Sequence, residues 1–164
     1  MMKKEDLGVQ KATFGAGCFW GVEAAFREVD GVVSTAVGYM GGDLDNPSYQ
    51  DVCTGTTGHT EVVEVIFKPE EVGYNDLLYI FWTIHDPTTL NRQGPDIGVQ
   101  YRSVIFYHNP EQKESAIKMR EKLQKSNIYP RDIVTAIEPA QNFWKAEEYH
   151  QQYFEKTGRR SCGF

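Results

Sequence analysis

The stretch KATFGAGCFWGVEAAFREVDG, residues 11–31, carries the clearest fold signal in this sequence. Its first residues predict a strand over residues 11–15, which leads into a helix that begins near Cys18. The apolar residues Val22 and Phe26 recur at helical spacing, and a glycine ends the helix. We therefore expect a strand that turns directly into an amphipathic helix.

The segments downstream repeat this alternation of strands and helices. A second helix is apolar and ends before a proline, whose ring disfavours helical backbone in the residue that precedes it. The resulting order of strand, helix, strand, strand, helix, strand is typical of the split βαβ, or ferredoxin-like, plait. We therefore predict the α+β class, with a two-layer α/β plait built on a ferredoxin-like split βαβ core. Its further elements are strands over residues 32–37, 59–67 and 103–107 and a helix over residues 75–85.

Long loops and a terminal tail complete the predicted domain. The loops over residues 38–47 and 87–100 are long for a compact domain, and such loops are usually functional. We interpret residues 1–164 as a single domain, with a folded core over 10–157 and a flexible tail over 158–164. The remaining predicted elements are a short helix after Pro47, a helix over 110–125, a strand over 133–137 and a last helix that contains Ala146, Tyr149, Tyr153 and Phe154.

The composition excludes several classes of protein. The chain has 164 residues, a hydrophobic fraction of 40% and a formal net charge of -6. Such a chain forms a globular core and has no electrostatic attraction to nucleic acid or anionic lipid. The N-terminus lacks the apolar run of a signal peptide, and no stretch is long enough to span a membrane. We expect a cytoplasmic, monomeric protein with neither nucleic acid nor a membrane as partner.

The cysteines and histidines predict neither a disulfide framework nor a metal site. The three cysteines, Cys18, Cys53 and Cys162, are odd in number and far apart in the sequence. The four histidines form no Cys-x-x-Cys or His-x-x-x-His pair with one another or with the cysteines. We therefore expect no metal or other cofactor, and thiols that stay reduced unless catalysis uses them.

The pentapeptide GCFWG, residues 17–21, makes Cys18 the candidate for chemistry. Backbone N–H groups at a helix start are unpaired and carry partial positive charge, so they stabilise a thiolate and lower the pKa of a cysteine. An arbitrary cysteine is more often a small buried hydrophobe. Here the flanking glycines let a substrate approach the backbone closely, which favours a reactive thiol.

A Gly-x-Gly sequence after a strand also begins the dinucleotide-binding fingerprint Gly-x-Gly-x-x-Gly. In this sequence Trp20 occupies the third glycine position, where its bulk would prevent close helix–strand packing. The two consecutive strands that follow are also wrong for a Rossmann unit. The motif therefore does not predict a nicotinamide or flavin enzyme.

Short motifs along nearly the whole chain resemble one family, the A-type peptide methionine sulfoxide reductases. Each motif alone is a weak signal, but this many in the family's order are highly specific. The resemblance implies a cofactor-free enzyme that reduces the S-epimer of methionine sulfoxide, free or in proteins. The motifs are GCFWG (17–21), GYMGG (38–42), NPSY (46–49), GHTE (58–61), HDP (85–87), RQGPD (92–96), QYRS (100–103) and EEYHQQY (147–153).

The resemblance also implies catalytic roles for individual residues. Cys18 matches the nucleophile that attacks the sulfoxide sulfur, and Glu61 matches the acid that protonates the departing oxygen. A carboxyl group held against aromatic side chains keeps its proton because its charged form is desolvated. Without the resemblance, Glu61 would be interpreted as a solvated residue on an alternating strand. Tyr49 and Tyr101 match tyrosines that bond the sulfoxide oxygen, and Asp96 matches a carboxylate that positions water and polar partners.

Further implied roles concern the substrate and the recycling of the enzyme. Phe19 and Trp20 match the apolar wall that receives the S-methyl group of the substrate. Cys162 matches the resolving cysteine, which would condense with the Cys18 sulfenic acid to a disulfide that thioredoxin or a similar dithiol reduces. Cys53 is a weaker candidate for that step and is expected to be buried and inert. Supporting roles are implied for His150 and Tyr153, and a structural role is expected for His59.

Two alternatives remain at this stage. A thiol peroxidase would also pass through a sulfenic acid at Cys18, but it would need no aromatic pocket for a methyl group. A binding module could hold methionine-rich peptides in the same aromatic pocket without turnover. Peroxide consumption distinguishes the first alternative, and the absence of Cys18 oxidation by methionine sulfoxide distinguishes the second.

Overall fold

The computed structural model describes residues 8–158, which fold around one six-stranded sheet and carry a separate two-stranded hairpin. None of the helices within this range is long and apolar enough to cross a membrane. The strands are β1 (Gln10–Ala16), β2 (Val32–Met40), β3 (Thr60–Phe67), β4 (Arg92–Gln93), β5 (Asp96–Ile97), β6 (Ser103–Tyr107), β7 (Ala136–Pro139) and β8 (Trp144–Lys145). The helices are α1 (Phe19–Arg27), α2 (Tyr49–Cys53), α3 (Tyr74–Thr83), α4 (Pro110–Lys125) and α5 (Tyr153–Thr157), with 3₁₀ turns at Val99–Tyr101 and Glu148–His150.

The four central strands lie in the order β6-β1-β3-β2, and each neighbouring pair is antiparallel. Helix α1 connects β1 to β2, which lie on either side of β3, and α3 lies in the connection from β3 to β6. At the edges of the sheet, β7 pairs in parallel with β6, and β8 pairs antiparallel with β2. The predicted α+β class is therefore confirmed.

The two faces of the sheet bury different sets of apolar side chains, because successive residues of a strand point to opposite faces. On one face, the Phe14 ring of β1 stacks on Phe26 of α1 at 5.1 Å and on Phe81 of α3 at 5.2 Å. Both helices therefore cover the same face. On the other face, Val62 and Phe106 belong to a smaller cluster covered by residues after β7.

The pairing of β1 with β3 positions the candidate catalytic residues. β1 ends at Ala16, directly before Cys18, and β3 begins at Thr60. Since the two strands are antiparallel, the end of β1 lies beside the start of β3. Glu61, at that start, is therefore next to the turn that carries Cys18.

His85 joins the end of α3 to β6. Its Nδ1 lies 2.6 Å from the Phe81 carbonyl oxygen and its Nε2 lies 2.7 Å from the Ser103 hydroxyl oxygen. A carbonyl oxygen can only accept, so Nδ1 carries a proton, and in the neutral ring Nε2 accepts from the Ser103 hydroxyl. Burial lowers the pKa of His85 to about 4, although the bond to Phe81 and the charge of Asp86 oppose the shift.

The structure corrects three sequence predictions. The expected single helix from Ala146 to Phe154 is wrong, because a 3₁₀ turn at Glu148–His150 and the short helix α5 replace it. Gln152 interrupts any continuous helix, since its φ of 50° is left-handed. β2 extends to Met40, past the predicted end at residue 37, because β3 and β8 both pair with its last residues. The strand expected over residues 133–137 is β7, whose pairing with β6 starts only at Ala136.

Candidate active site

Cys18 caps α1 at the point where the chain leaves β1. The preceding Gly17 has a φ of 100°, a left-handed conformation that glycine adopts without strain. A side chain added to Gly17 would also lie 2.9 Å from Gln93 of the hairpin. Cys18 is half-buried and stands before the first turn of a nine-residue helix. The structure therefore places the candidate nucleophile at a helix start, as the sequence predicted.

Glu61 is buried beside the residue that follows Cys18. Its side chain is 2% exposed, and its Oε1 accepts the backbone N–H of Phe19 at 3.2 Å. That N–H is one of the helix-start donors that have no partner within the helix. A solvated Glu61 is thus excluded. The carboxyl group sits at the same helix start as the thiol.

Tyr101 lies close to Glu61, Asp96 and Cys18, the other residues that are predicted to act in catalysis. It lies in the 3₁₀ turn Val99–Tyr101, just after the hairpin that carries Asp96. Burial raises the pKa of Tyr101, and the charges of Glu61, Cys53, Asp96 and Cys18 raise it further. Burial also raises the pKa of Asp96. Each of these four groups is close enough to act electrostatically on the Tyr101 hydroxyl, so the fold brings them together around Tyr101.

Tyr49 begins the short helix α2, which a capping box between Ser48 and Asp51 stabilises. Burial raises the pKa of the Tyr49 hydroxyl, and a hydrogen bond with the Cys53 thiol and the charge of Glu61 raise it further. Because this bond raises the pKa, it stabilises the neutral phenol, so the Tyr49 hydroxyl donates to the Cys53 sulfur. Tyr49 therefore enters the site as a protonated donor.

The sequence predicts a buried Cys53, and this expectation is wrong because the residue is exposed at the end of α2. Partial burial of the thiol nevertheless raises the pKa of Cys53, and the bond from Tyr49 offsets part of the rise. A raised pKa leaves little thiolate at neutral pH. The prediction that Cys53 is chemically inert therefore still has a physical basis.

Phe19 and Trp20, the predicted methyl wall, lie against His150 and Tyr153. Phe19 is buried, and its ring lies 5.1 Å from that of His150. The Trp20 indole stacks on Tyr153 at 3.8 Å with an interplanar angle of 9°. Its Nε1–H donates to His150 Nδ1 at 2.9 Å. Three contacts with these two residues thus determine the orientation of the two aromatic rings.

Glu147 and Tyr39 also contribute to the site, and sequence reasoning assigned no role to either. Glu147 accepts the Tyr39 hydroxyl at 3.0 Å and the Tyr49 backbone N–H at 2.9 Å. Burial opposes ionisation of Glu147, but these bonds outweigh it and lower the pKa of the carboxyl group. Glu147 lies in the EEYHQQY motif, and Tyr39 lies opposite Glu61 in the β2–β3 pair. The strand register, once known, would have identified Tyr39.

Other predicted residues lie elsewhere or outside the described range. His59 is buried, with Nδ1 accepting the Gly42 N–H at 3.0 Å and Nε2 lying 2.7 Å from the Leu44 carbonyl oxygen, which fits its structural interpretation. Cys162 and most of the predicted tail lie beyond residue 158, outside the described residues. Between residues 8 and 158, no cluster of three or more histidine, cysteine, aspartate or glutamate side chains could hold a metal ion.

The arrangement supports redox chemistry at sulfur. A thiol can supply the two electrons that an oxidised substrate takes up, and the adjacent carboxyl group is placed to supply a proton to the departing oxygen. The protein is in this respect a thiol-dependent oxidoreductase. The family model described as peptide methionine sulfoxide reductase matches residues 10–164, and the chain belongs to that family.

Individual relatives agree with this assignment. The chain is 71% identical over 153 residues to the peptide methionine sulfoxide reductase MsrA of Methanothermobacter thermautotrophicus, covering 93% of this chain and 90% of the relative. It is similar to the crystal structure of Mxr1 from Saccharomyces cerevisiae in reduced form, with a TM-score of 0.90, 38% identity and coverage of 98% and 93%. Mxr1 in complex with Trx2 matches with a TM-score of 0.65, 27% identity and coverage of 93% and 90%.

Proposed function

We propose that this protein reduces the S-epimer of methionine sulfoxide, free or in proteins, to methionine through a Cys18 sulfenic acid. The observation that carries the proposal is the contact of the buried Glu61 carboxyl group with the helix start that presents Cys18. Family membership supports methionine sulfoxide as the substrate.

In the first step, the Cys18 thiolate attacks the sulfoxide sulfur while Glu61 protonates the sulfoxide oxygen. The sulfur–oxygen bond then breaks and the protonated oxygen leaves as hydroxide. Hydroxide attacks Cys18 Sγ, and the sulfur–sulfur bond breaks to release the thioether. Cys18 is thereby oxidised to a sulfenic acid, and the sulfoxide is reduced by two electrons. Since Glu61 Oε1 accepts the Phe19 N–H, the proton is delivered from Oε2, which is also buried. Tyr101 donates to the oxygen as negative charge develops on it, and Tyr49 does so by turning its hydroxyl from the Cys53 sulfur towards that oxygen.

Selection of the S-epimer follows from the placement of these groups around the sulfur. The methyl group contacts Phe19 and Trp20, the oxygen faces Glu61 and the two tyrosines, and Cys18 approaches from a third direction. In the R-epimer, with the remaining carbon chain held in place, methyl and oxygen exchange positions. Its oxygen would then face the apolar wall without a hydrogen-bond donor, which costs about 1–3 kcal/mol.

Recycling requires a second thiol. We propose that Cys162 attacks the Cys18 sulfenic acid, which forms a disulfide and releases water. A dithiol such as thioredoxin then reduces the disulfide and becomes oxidised itself. The similarity to Mxr1, which has been solved in complex with Trx2, supports thioredoxin as this dithiol.

We further propose that residues 1–164 form one monomeric, cytoplasmic domain that acts without a cofactor, nucleic acid or membrane. The charge of -6 supports the absence of nucleic acid partners. Light scattering of the purified chain tests the monomer directly.

The decisive experiment reduces resolved S- and R-epimers of free methionine sulfoxide, first with dithiothreitol and then with thioredoxin. We expect rapid reduction of the S-epimer only, with either reductant. Reduction of neither epimer, together with unchanged Cys18 mass, would favour the binding module. Peroxide consumption faster than sulfoxide reduction would favour the thiol peroxidase.

A further inference from the structure

A buried carboxyl group lies behind the aromatic wall, at a position the mechanism does not use. Glu23 is 1% exposed on α1, one turn after Trp20. A buried carboxyl group requires hydrogen-bond partners, because water no longer solvates it. Glu23 accepts the Thr35 hydroxyl at 2.8 Å, the Gln152 backbone N–H at 2.8 Å and the Gln152 side-chain amide at 2.8 Å.

Two of these three bonds hold a residue with a special backbone conformation. Gln152 has a φ of 50°, which is uncommon for a residue other than glycine and persists only where its surroundings enforce it. This turn separates His150, which bonds the Trp20 indole, from Tyr153, which stacks on it. The backbone conformation of Gln152 therefore determines the relative positions of His150 and Tyr153, the two residues that contact Trp20.

A second glutamine ties the same segment to the sheet. The Gln151 side chain accepts the Val37 N–H at 2.9 Å and donates to the Val37 carbonyl at 2.9 Å and to that of Ala146 at 2.9 Å. Gln151 fixes the distance of the segment from β2. The Gln151 side chain therefore bonds the segment to β2, whereas the Gln152 bonds to Glu23 join the segment to α1.

We infer that Glu23 is a positioning residue for the methyl-binding wall, acting on Trp20 through the Gln152 turn. The inference rests on the proposed function, in which Trp20 contacts the substrate methyl group. Glu23 itself touches neither the substrate nor Cys18. The Thr35 hydroxyl, which donates to Glu23, also accepts a hydrogen bond from the Arg27 guanidinium at 3.3 Å. Arg27 in turn forms an ion pair with Glu155 of α5 at 2.7 Å, so this network also joins α1 to α5.

The test measures KM and kcat for free methionine S-sulfoxide with dithiothreitol in Glu23→Gln and Gln152→Gly. Glutamine at 23 presents an amide donor to the donors of Gln152, so at least one bond is lost. Glycine at position 152 adopts the left-handed backbone conformation without strain, but it removes the side-chain hydrogen bond to Glu23. Gln152→Gly should therefore remain folded even if Glu23→Gln does not. We expect KM to rise about 2- to 12-fold, which is the effect of losing one aromatic contact on substrate affinity. We expect kcat to stay nearly unchanged. Alkylation of Cys18 by iodoacetamide, which needs no methyl pocket, should proceed at the wild-type rate.

A double-mutant cycle with Trp20→Ala separates positioning from general destabilisation. If Glu23 acts through Trp20, adding Glu23→Gln to Trp20→Ala leaves KM within about twofold of Trp20→Ala alone. The control is Gln112→Ala, which removes the bonds of the buried Gln112 side chain to the His108 N–H and the Lys11 carbonyl and should lower thermal stability without changing KM. A wild-type KM in both Glu23→Gln and Gln152→Gly, or additive effects in the cycle, would overturn the inference. An unchanged KM in Trp20→Ala would instead refute the wall assignment in the proposed function.

Discussion

Replacing Glu61 by glutamine removes a proton donor and leaves the shape of the site intact. The glutamine carbonyl oxygen can still accept the Phe19 N–H that Glu61 accepts at 3.2 Å. The protonated acid and the amide are both neutral acceptors, so the exchange changes the folding free energy by at most about 1 kcal/mol. The free energy of unfolding of a small domain is about 5–15 kcal/mol, so the variant remains folded.

The chemical step should respond far more strongly. An amide cannot protonate the departing oxygen, and loss of a general acid slows a reaction about 10²- to 10⁴-fold. This corresponds to about 2.7–5.4 kcal/mol in the activation barrier. Substrate affinity should change much less, because Phe19 and Trp20 still form the methyl wall.

Rapid mixing of the reduced enzyme with methionine S-sulfoxide, followed by acid quench, measures methionine release in a single turnover. Glu64→Gln is the matched control. Glu64 lies on the same strand but on the opposite face, where it pairs with Lys11 at 3.6 Å, so its loss should leave the rate unchanged. A wild-type rate in Glu61→Gln, or equal slowing in both variants, would refute the assignment of Glu61 as the acid.

The remaining predictions concern the thiols and the response to pH. Cys18→Ser should abolish sulfoxide reduction with an unchanged circular dichroism spectrum, since a hydroxyl is a far weaker nucleophile than a thiolate; measurable turnover would contradict this. Cys162→Ser should release one equivalent of methionine and then lose thioredoxin-dependent turnover, whereas Cys53→Ser should resemble wild type. Peptide mapping that finds a Cys18–Cys53 disulfide would show that the resolving partner is wrong. The pKa of His85, lowered from 6.5 to about 4, means that the unfolded chain binds this proton more readily than the folded protein. The stability present above pH 6.5 should therefore decrease as the pH falls towards 4, by at most about 3.4 kcal/mol. Urea unfolding of wild type and His85→Asn checks this prediction.

The strand-to-helix turn at Cys18 could be predicted because its signal is local. Apolar periodicity and two flanking glycines suffice to place a cysteine at a helix start. The proximity of Glu61 was predictable for a different reason, since the order of strands and helices indicated that the third strand neighbours the first. The first prediction depends on a pattern within one segment, and the second depends on the order of the segments along the chain.

The segment from Ala146 to Tyr153 could not be predicted in the same way. Its apolar residues recur at helical spacing, but side-chain bonds from Gln151 to Val37 and from Gln152 to Glu23 favour a bent path instead. Such bonds join positions more than a hundred residues apart, and propensity does not report them. The signal that was available is Glu23 itself, a charged residue on the face of α1 that otherwise buries apolar side chains.

The central position of β1 has a consequence for amide hydrogen exchange. β1 is hydrogen-bonded to β3 on one side and to β6 on the other, so its amides should exchange only when the whole domain opens. Helix α2 has five residues and is followed by an exposed segment, so its amides should exchange through local opening. Cys18 thus follows closely on the strand that we expect to exchange most slowly, whereas we expect local opening on the Tyr49 side of the site. A free amino acid and a methionine within a polypeptide would then be accommodated by movement of that side, with the nucleophile held still.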